Sequence, residues 1–524
     1  MRLVLIALAL SALSAMSLQW PMSADYDLLL RNGRVLDGSG NPWFRADLAI
    51  SGDRVVVVGP LAEARAARVI DLDGLVVAPG FVDVHSHAAR GLAGPLHTAV
   101  PLLAQGITTV AINPDGGGPV NLAEQRARLE AHGVGVNVVQ FVPHGAIRLD
   151  VLGMADRAPS GDELARMRQL VRLGMQAGAV GLSTGLYYAP GSYAATEEVI
   201  ELARVAGEFG GIYSSHIRDE ADYTIGVVAA VGEVIRIADE ARLAGIVSHM
   251  RALGPAQWGL ATTLASAMDD ARARGVSVYA DQYPYEASGT GITAALVPRW
   301  AQVGGREQFL ERLRGGEGQR LRAAIADNIK RRGGADTLVV SGYAADPTLE
   351  GQSLAAIAEA RGVEVVELVV SLLEQGDAGL VSFNMSEADI AHIMRQPWTM
   401  TCTDGDLTAP GDGKPHPRGY GAFARKLAVY VRERHVVDLA DAVRSMTSLP
   451  AGVLGLKDRG VIRRGARADL VVFDPARVRD SATYLQPQQL AEGFRYVFVN
   501  GVAVIDDGMP TAATPGRLLT LERR

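Results

Sequence analysis

The feature that most constrains the fold is a series of eight short apolar segments in the middle of the chain, each ending in polar or ionisable residues. They are FVDVHSH, ITTVAINPD, GVNVVQFVPH, AVGLSTGLYY, GIYSSHIRDE, AGIVSHMRA, VSVYADQYPY and WTMTCTDGD. Segments that are apolar throughout fit strands buried on both faces, which is typical of parallel sheets. Most are separated by helical patterns, such as the one that begins at the capping box of Ser160 and Glu163. The series predicts an α/β fold, a (β/α)8 TIM-like barrel over residues 81–454.

The main alternative is an open, doubly wound parallel sheet. No Gly-rich phosphate-binding turn follows the first segment, which argues against such a sheet. The stretch from about residue 300 to 394 is too long for a single crossover between neighbouring strands. We therefore expect an inserted helical lid there, close to the site.

Both ends of the chain have the pattern of short β-strands. LLLRNGRVLDG and ADLAISGDRVVVVG near the N-terminus, and GVIRRGARADLVVFDP and FRYVFVNGVAVIDDG near the C-terminus, are apolar runs broken by turn sequences. These runs predict one small β-sandwich domain assembled from residues 25–80 and 455–524.

The first 24 residues have the pattern of a signal peptide. Arg2 precedes an apolar run at residues 3–16, which is short for a membrane span but typical of a signal-peptide core. We expect a periplasmic or secreted protein, whereas a misassigned start codon would leave it cytoplasmic. The sole cysteine, Cys402, excludes an intrachain disulfide.

The charge of the chain argues against polyanionic partners. A formal net charge of -7 over 524 residues provides no basic surface for nucleic acid and no polybasic membrane anchor. The basic stretch at residues 306–332 alternates with acidic and apolar residues, which is typical of a solvated helix surface. We expect a small-molecule substrate and no stable membrane span after signal cleavage; no motif specifies an oligomeric state.

Five imidazole or carboxylate groups fall at the ends of the predicted strands. His85 and His87 end the first segment, where strand alternation directs both side chains the same way. His216, His249 and Asp404 end the fifth, sixth and eighth segments. An isolated histidine at a strand end is more often structural, but the ends of barrel strands share one rim, so we expect these five groups to converge. Imidazole and carboxylate ligands indicate a divalent metal such as zinc.

Several motifs resemble known families. GFVDVHSH and GVIRRGARADLVVFDP are similar to amidohydrolase superfamily sequences. LSTGLYYAPGSYAATEEV, YSSHIRDE, VSHMRALGPAQWG, DQYPYEASGT, DGKPHPRGYGAFAR and ATYLQPQQLAEGFRYVFVNG resemble the N-acyl-D-amino-acid deacylases, or D-aminoacylases. The resemblance covers nearly the whole chain after the predicted signal peptide. It implies a zinc-dependent hydrolase that releases a carboxylic acid and a D-amino acid from an N-acyl-D-amino acid.

The resemblance also implies roles for individual residues. His85 and His87 would be ligands of one metal site, His216 and His249 of another, and Asp404 a metal ligand and the general acid/base. The implied substrate contacts are Tyr187, Arg251, Tyr283, Ser288 and Arg418. Of these, Arg418 and also Arg251 are expected to bind a free carboxylate, because a guanidinium offers two parallel donors. A structural salt bridge is the alternative for each arginine.

Two positions depart from the family pattern. Asp115, in TTVAINPDG, stands where the family usually has a cysteine ligand, and Arg251 stands where it often has lysine. A carboxylate can bridge two cations and is a harder ligand than a thiolate. One or two ions are therefore expected, with manganese or cobalt tolerated beside zinc. The alternative is that Asp115 is only a turn residue, which the sequence Asn-Pro-Asp-Gly favours.

Two other functions compete with deacylation. Another amidohydrolase activity, such as that of a D- or isoaspartyl dipeptidase or a cyclic-amide hydrolase, is the first. Arg418 and Tyr283 favour a substrate with a free carboxylate, and GLSTGLYY contains no lysine that could be carboxylated. The second is a non-catalytic binding protein, which the retention of Asp404 and four strand-end histidines argues against.

Overall fold

The computed structural model of the protein describes residues 24–521. The predicted signal peptide therefore lies, apart from residue 24, outside the described residues. Within residues 24–521 no helix has the length and apolar character that a membrane span requires.

Strands form one domain from the two chain ends and a barrel between them. In chain order they are β1 Tyr26–Val35, β2 Phe44–Ser51, β3 Arg54–Gly59, β4 Ala66–Asp71, β5 Val76–Pro79, β6 Phe81–Asp83, β7 Ile107–Ile112, β8 Asn137–Pro143, β9 Gly181–Gly185, β10 Ile212–His216, β11 Gly245–Val247, β12 Val278–Gln282, β13 Ala287–Gly291, β14 Leu338–Gly342, β15 Gly379–Phe383, β16 Thr399–Thr401, β17 Leu470–Phe473, β18 Phe494–Val499, β19 Val502–Asp506 and β20 Met509–Pro510.

The helices lie mainly between the barrel strands and in the insertion. They are α1 Ala89–Leu92, α2 Val100–Leu103, α3 Leu122–His132, α4 His144–Leu152, α5 Gly161–Gln176, α6 Thr196–Glu208, α7 Val227–Ala241, α8 Ala261–Ala273, α9 Ile292–Leu296, α10 Arg306–Arg314, α11 Gly318–Arg331, α12 Leu354–Arg361, α13 Val365–Gln375, α14 Glu387–Met394, α15 Arg418–Arg425, α16 Leu439–Met446 and α17 Ser448–Val453. A π-helix, Lys426–Glu433, follows α15. The predicted capping box of Ser160 and Glu163 is present at the start of α5.

The barrel is built from the eight predicted segments, one strand from each. Strands β6 to β12 and β16 lie in chain order in an eight-stranded parallel sheet. Its first and last strands meet at the rim, where Asp404 N donates to His85 O (2.9 Å) and His87 N donates to Gly405 O (3.0 Å). Every residue of β7, β8 and β9 is buried, as expected for strands packed on both faces. The predicted (β/α)8 fold is confirmed.

A second domain joins the two ends of the chain. Strands β1 to β5 and β17 to β20 belong to one nine-stranded sheet, in which β17 pairs antiparallel with β5. Side chains from both ends, among them Leu30, Leu48, Val472 and Phe498, share one hydrophobic cluster. A small β domain from both termini is therefore present, as predicted, while the limits 25–80 and 455–524 stay predictions.

The excursion between β12 and β16 contains strands as well as helices. It carries α9 to α13 around a hydrophobic cluster of its own, together with an antiparallel sheet in the order β13-β15-β14. It leaves the barrel soon after β12, ahead of the expected start at about residue 300. The sequence of β13, ASGTG, has no apolar alternation, so its pattern did not indicate a strand.

Candidate active site

The carboxyl ends of the barrel strands surround a cavity of about 670 Å³. Its lining includes four of the six predicted metal ligands, namely His87, Asp115, His216 and Asp404. His85 and His249 are buried, with 0% and 2% of their surfaces exposed. All six come together at one rim because each follows or ends a barrel strand.

One group of ligand atoms lies between the ends of β6, β7 and β16. His85 Nε2 is 3.3 Å from Asp115 Oδ1 and 3.3 Å from Asp404 Oδ1. His87 Nε2 is 3.4 Å from Asp115 Oδ2 and 3.2 Å from Asp404 Oδ1. Two imidazoles and two carboxylates thus face one small volume, and their ligand atoms all lie within 4.8 Å of one another.

A second group shares Asp115 with the first. His216 Nδ1 lies 3.8 Å from Asp115 Oδ2, and His249 Nε2 lies 3.9 Å from Asp115 Oδ1. The ligand atoms of these three residues also lie within 4.8 Å of one another. Asp115 therefore stands between two histidine pairs, the position a bridging carboxylate would need.

Several of these buried polar atoms make no hydrogen bond. They include both ring nitrogens of His85 and of His216, together with Asp115 Oδ1. Buried polar groups in proteins are almost always hydrogen-bonded. Several buried polar atoms without a hydrogen bond at one place therefore indicate a ligand-binding site. Imidazole nitrogens and carboxylate oxygens are donors that zinc accepts, so the residues fit a metal site.

The electrostatics of the first group favour a positive charge. Burial lowers the pKa of His87, but Asp115 and Asp404 outweigh burial and raise it to about 10. Burial alone would raise the pKa of Asp404, yet the charges of Arg418, His249 and His85 hold it well below its usual range. Both carboxylates are therefore ionised near neutral pH, and the space between them and the histidines stabilises a cation.

The backbone is unusual at the residues that carry these groups. Asp115, His249 and Asp404 have positive φ values of 56°, 33° and 46°. Residues with side chains adopt this left-handed conformation uncommonly, and aspartate and histidine do so more readily than most. Asp115 is thus both a turn residue, as its Asn-Pro-Asp-Gly sequence suggests, and a residue that faces the site.

Two carboxylates at the rim were missed by the sequence analysis. Glu220 Oε1 lies 3.3 Å from His249 Nδ1 and 2.8 Å from Arg251 Nη2. Asp281 accepts a hydrogen bond from His249 N (2.7 Å) and lies 3.9 Å from His85 Nδ1. Both orient histidines of the site. The only signal for them is their position in the polar tails of IRDE and ADQ.

Comparison with known proteins places the chain in a family. Residues 68–505 match the amidohydrolase family. The chain is 36% identical to an N-acyl-D-glutamate deacylase of Alcaligenes xylosoxydans xylosoxydans, over 95% of this chain and 97% of that protein. It is 34% identical to a D-aminoacylase of the same organism, over 95% of this chain and 98% of that protein. The chain belongs to the N-acyl-D-amino-acid deacylase family of amidohydrolases.

Solved structures of this deacylase family have the same fold. An N-acyl-D-glutamate deacylase from Bordetella bronchiseptica, complexed with zinc and a phosphonate mimic of the tetrahedral intermediate, superposes with a TM-score of 0.81 at 34% identity. The match covers 94% of this chain and 99% of that chain. A D-aminoacylase with a binuclear metal centre gives a TM-score of 0.81 at 32% identity, covering 94% of this chain and 100% of that chain.

Both arginines that are expected to bind substrate line the cavity, and each forms an ion pair with a carboxylate of the protein. Arg418 Nη1 donates to Asp404 Oδ2 (2.5 Å), and Arg251 Nη2 donates to Glu220 Oε2 (3.0 Å). Tyr283 lies between the two arginines, since its hydroxyl accepts from Arg251 and its ring lies 4.7 Å from the Arg418 guanidinium.

Three of the substrate contacts expected from the deacylase family are absent from the cavity lining. Tyr187, Tyr283 and Ser288 are buried beside it, and Ser288 donates to Asn384 Oδ1 (3.2 Å). Their neighbours Tyr188, Gly289 and Thr290 line it instead. Tyr187 and Tyr188 follow the end of β9 at Gly185, beyond which strand alternation no longer predicts direction.

Proposed function

We propose that this protein is a zinc-dependent amidohydrolase that cleaves the amide bond of N-acyl-D-amino acids, releasing a carboxylic acid and a D-amino acid. The observation that carries the proposal is the convergence of four histidines and two aspartates at one cavity, where several buried ligand atoms make no hydrogen bond. Relatives at 34% to 36% identity over nearly their full lengths, named for deacylation of N-acyl-D-amino acids, support it.

We assign the two groups of ligands to one or two divalent ions. His85, His87 and Asp404 would hold one ion, His216 and His249 the other, with Asp115 bridging them. The all-nitrogen and oxygen donor set suits zinc and tolerates manganese or cobalt. When bound, such an ion lowers the pKa of a coordinated water and polarises the acyl carbonyl.

Asp404 is the group that moves the proton. Its carboxylate is ionised, because Arg418 and the neighbouring histidines stabilise its charge. It lies at the floor of the cavity, where it can accept a proton from the attacking water and deliver it to the departing nitrogen. General acid/base catalysis by one positioned carboxylate is sufficient for both transfers.

The two cavity arginines bind the substrate's carboxylate. A guanidinium has five N–H donors, so Arg418 and Arg251 retain donors beyond those used on Asp404 and Glu220. Tyr283 holds both arginines in place, and Tyr188 closes the cavity beside His216, with ring centroids 4.6 Å apart. Tyr187 and Ser288 stay predicted contacts.

A chiral substrate screen tests this function. Purified protein with zinc is assayed against N-acetyl-D- and N-acetyl-L-amino acids, with dipeptides and cyclic amides alongside, before and after metal removal. We expect metal-dependent hydrolysis of the D-enantiomers. Equal rates on both enantiomers would refute the stereochemical part, and activity on dipeptides alone would favour the dipeptidase alternative.

We also propose that residues 1–24 are a cleaved signal peptide and that the mature protein is periplasmic or secreted. The support is the charged start and short apolar run described above. N-terminal sequencing of protein from the native host tests this, since an intact residue 1 would contradict it.

A further inference from the structure

One buried arginine next to the active site has no carboxylate partner. Arg332, directly after α11 of the insertion, has 1% of its surface exposed. Its guanidinium donates only to neutral hydroxyls, Ser382 Oγ (3.2 Å) and Tyr187 Oη (3.2 Å), and its Nε makes no hydrogen bond. A buried cation without an anion is costly, so such a group usually serves a ligand.

The other buried arginines show how unusual this is. Within residues 24–521 the buried arginines are Arg148, Arg251, Arg332, Arg418 and Arg459. All except Arg332 form an ion pair with a carboxylate, and those carboxylates belong to Glu198, Glu220, Asp404 and Asp469. In the described part of the chain, no carboxylate oxygen comes within ion-pair distance of Arg332.

The surroundings of Arg332 offer a further hydroxyl and a second guanidinium. The charge of Glu220 also acts on Arg332, but Glu220 forms its ion pair with Arg251. The hydroxyl of Tyr223, whose ring centroid lies 6.0 Å from the Arg332 guanidinium, is buried without a hydrogen-bond partner. A second guanidinium, that of Arg299, lies 3.8 Å from the centroid of the Tyr187 ring. The cluster is therefore complementary to a negative charge.

This cluster lies directly behind the wall of the active-site cavity. The ring of Tyr187 is 5.3 Å from that of His216, measured between centroids. Ser382, which accepts from Arg332, pairs across the sheet with Ser288, whose neighbour Gly289 lines the cavity. Arg332 thus contacts residues that are themselves next to residues of the active site.

We propose that Arg332 is a specificity-determining residue that binds a second carboxylate of the substrate, on the side chain of an acidic N-acyl-D-amino acid. This inference rests on the proposed function and narrows its substrate class to derivatives of D-glutamate or D-aspartate. Arg418 and Arg251 bind the α-carboxylate, so the two negative charges of such a substrate meet separate guanidinium groups. An uncharged side chain of the same shape would leave Arg332 unpaired.

The test compares two substrates of nearly equal shape, N-acetyl-D-glutamate and N-acetyl-D-glutamine. Because hydrogen bonds to a charged partner are among the stronger ones, we expect wild-type kcat/KM to favour glutamate by about tenfold to a hundredfold. Arg332→Met should remove most of that preference by lowering the glutamate value alone. Arg332→Lys, which keeps the charge, should retain part of it.

An arginine elsewhere in the insertion provides the matched control. Arg361, at the end of α12, is exposed and donates to Asp346 Oδ2 (2.9 Å) on the surface. Arg361→Met should therefore leave the glutamate-to-glutamine ratio unchanged.

The outcomes distinguish a failure of the Arg332 inference from a failure of the proposed function. A wild type that hydrolyses N-acetyl-D-glutamine as fast as N-acetyl-D-glutamate would overturn the inference while sustaining the proposed function, even if Arg332→Met does not fold. A preference that persists in a folded Arg332→Met variant would also overturn it. A wild type that hydrolyses no N-acyl-D-amino acid would overturn the proposed function first.

Discussion

Two clusters of buried polar residues lie at opposite ends of the barrel, and they differ in how their hydrogen bonds are satisfied. At the junction with the β domain, Asp469 accepts from Arg459, from Asn137 Nδ2 (3.1 Å) and from the backbone N of Asn500 (2.7 Å). Asn500 Nδ2 in turn donates to Asn137 Oδ1 (2.8 Å). These polar groups are therefore hydrogen-bonded to one another within the protein, and the junction links the start of β8 to the β domain.

At the catalytic rim, by contrast, several buried polar atoms make no hydrogen bond within the protein. Both ring nitrogens of His85 and of His216, together with Asp115 Oδ1, are buried without a hydrogen bond. The comparison indicates that a buried polar cluster whose groups hydrogen-bond to one another stabilises the fold. A cluster whose buried polar atoms make no hydrogen bond is available to bind a ligand.

The largest expected effect is on turnover at the rim. Asp404→Asn should lower kcat by up to about 10⁴-fold, because an amide cannot accept and return the proton. The variant should still fold and bind metal, which metal analysis and circular dichroism would check. A near-native rate would show that the general acid/base is another group.

A change at the junction should affect stability instead. Asp469→Ala leaves the buried charge of Arg459 unpaired, which should lower the free energy of unfolding by about 3–5 kcal/mol. Urea unfolding measures this, and the metal content of the folded fraction should stay unchanged. The exposed pair of Arg68 and Asp506 is the control, since Asp506→Ala should cost no more than about 1 kcal/mol. Equal losses of unfolding free energy in the two variants would show that the buried pair at the junction stabilises the protein no more than the exposed pair does.

A smaller effect is expected for substrate anchoring. Arg418→Met should lower kcat/KM for an N-acyl-D-amino acid about tenfold to a hundredfold more than for its uncharged carboxamide. Both substrates should also lose rate through the missing contact with Asp404. An unchanged ratio between the two substrates would mean that Arg418 only holds Asp404.

The last prediction concerns Lys426, which is buried and hydrogen-bonded but forms no ion pair among the described residues. Its Nζ donates to Thr401 Oγ1 (2.9 Å) and Ser445 Oγ (2.8 Å), and burial lowers its pKa from 10.5 to about 7. Between these values the unfolded chain binds a proton that the folded protein does not. Folded stability should therefore rise as pH increases from 7 towards 10.5 and be flat below 7.

Lys426→Met isolates this pH dependence. The free energy of unfolding of the wild type, relative to the variant, should increase by up to about 1.4 kcal/mol per pH unit between pH 7.5 and 9.5. Urea unfolding at both pH values measures it. A difference that is constant across this range would show that Lys426 stays protonated.

The barrel and most of its rim were predictable because each strand segment is apolar and ends in its own polar residues. Beyond the strand ends, strand alternation indicates no side-chain direction. Tyr187 was expected to contact substrate from the family resemblance alone, which stays a prediction, and the neighbouring Tyr188 lines the cavity. Glu220 acts through contacts with His249 and Arg251 that only the tertiary structure creates. The glycine-rich strand β13 lacks the alternation on which strand prediction depends.

The central claim is that the open rim is a metal centre built around Asp115. Metal analysis of purified protein by mass spectrometry, for the wild type and for Asp115→Ala, tests it most directly. We predict more than one equivalent of divalent metal in the wild type, and loss of at least one equivalent together with activity in the variant. A folded Asp115→Ala variant with the metal content of the wild type would make Asp115 a turn residue and contradict the account.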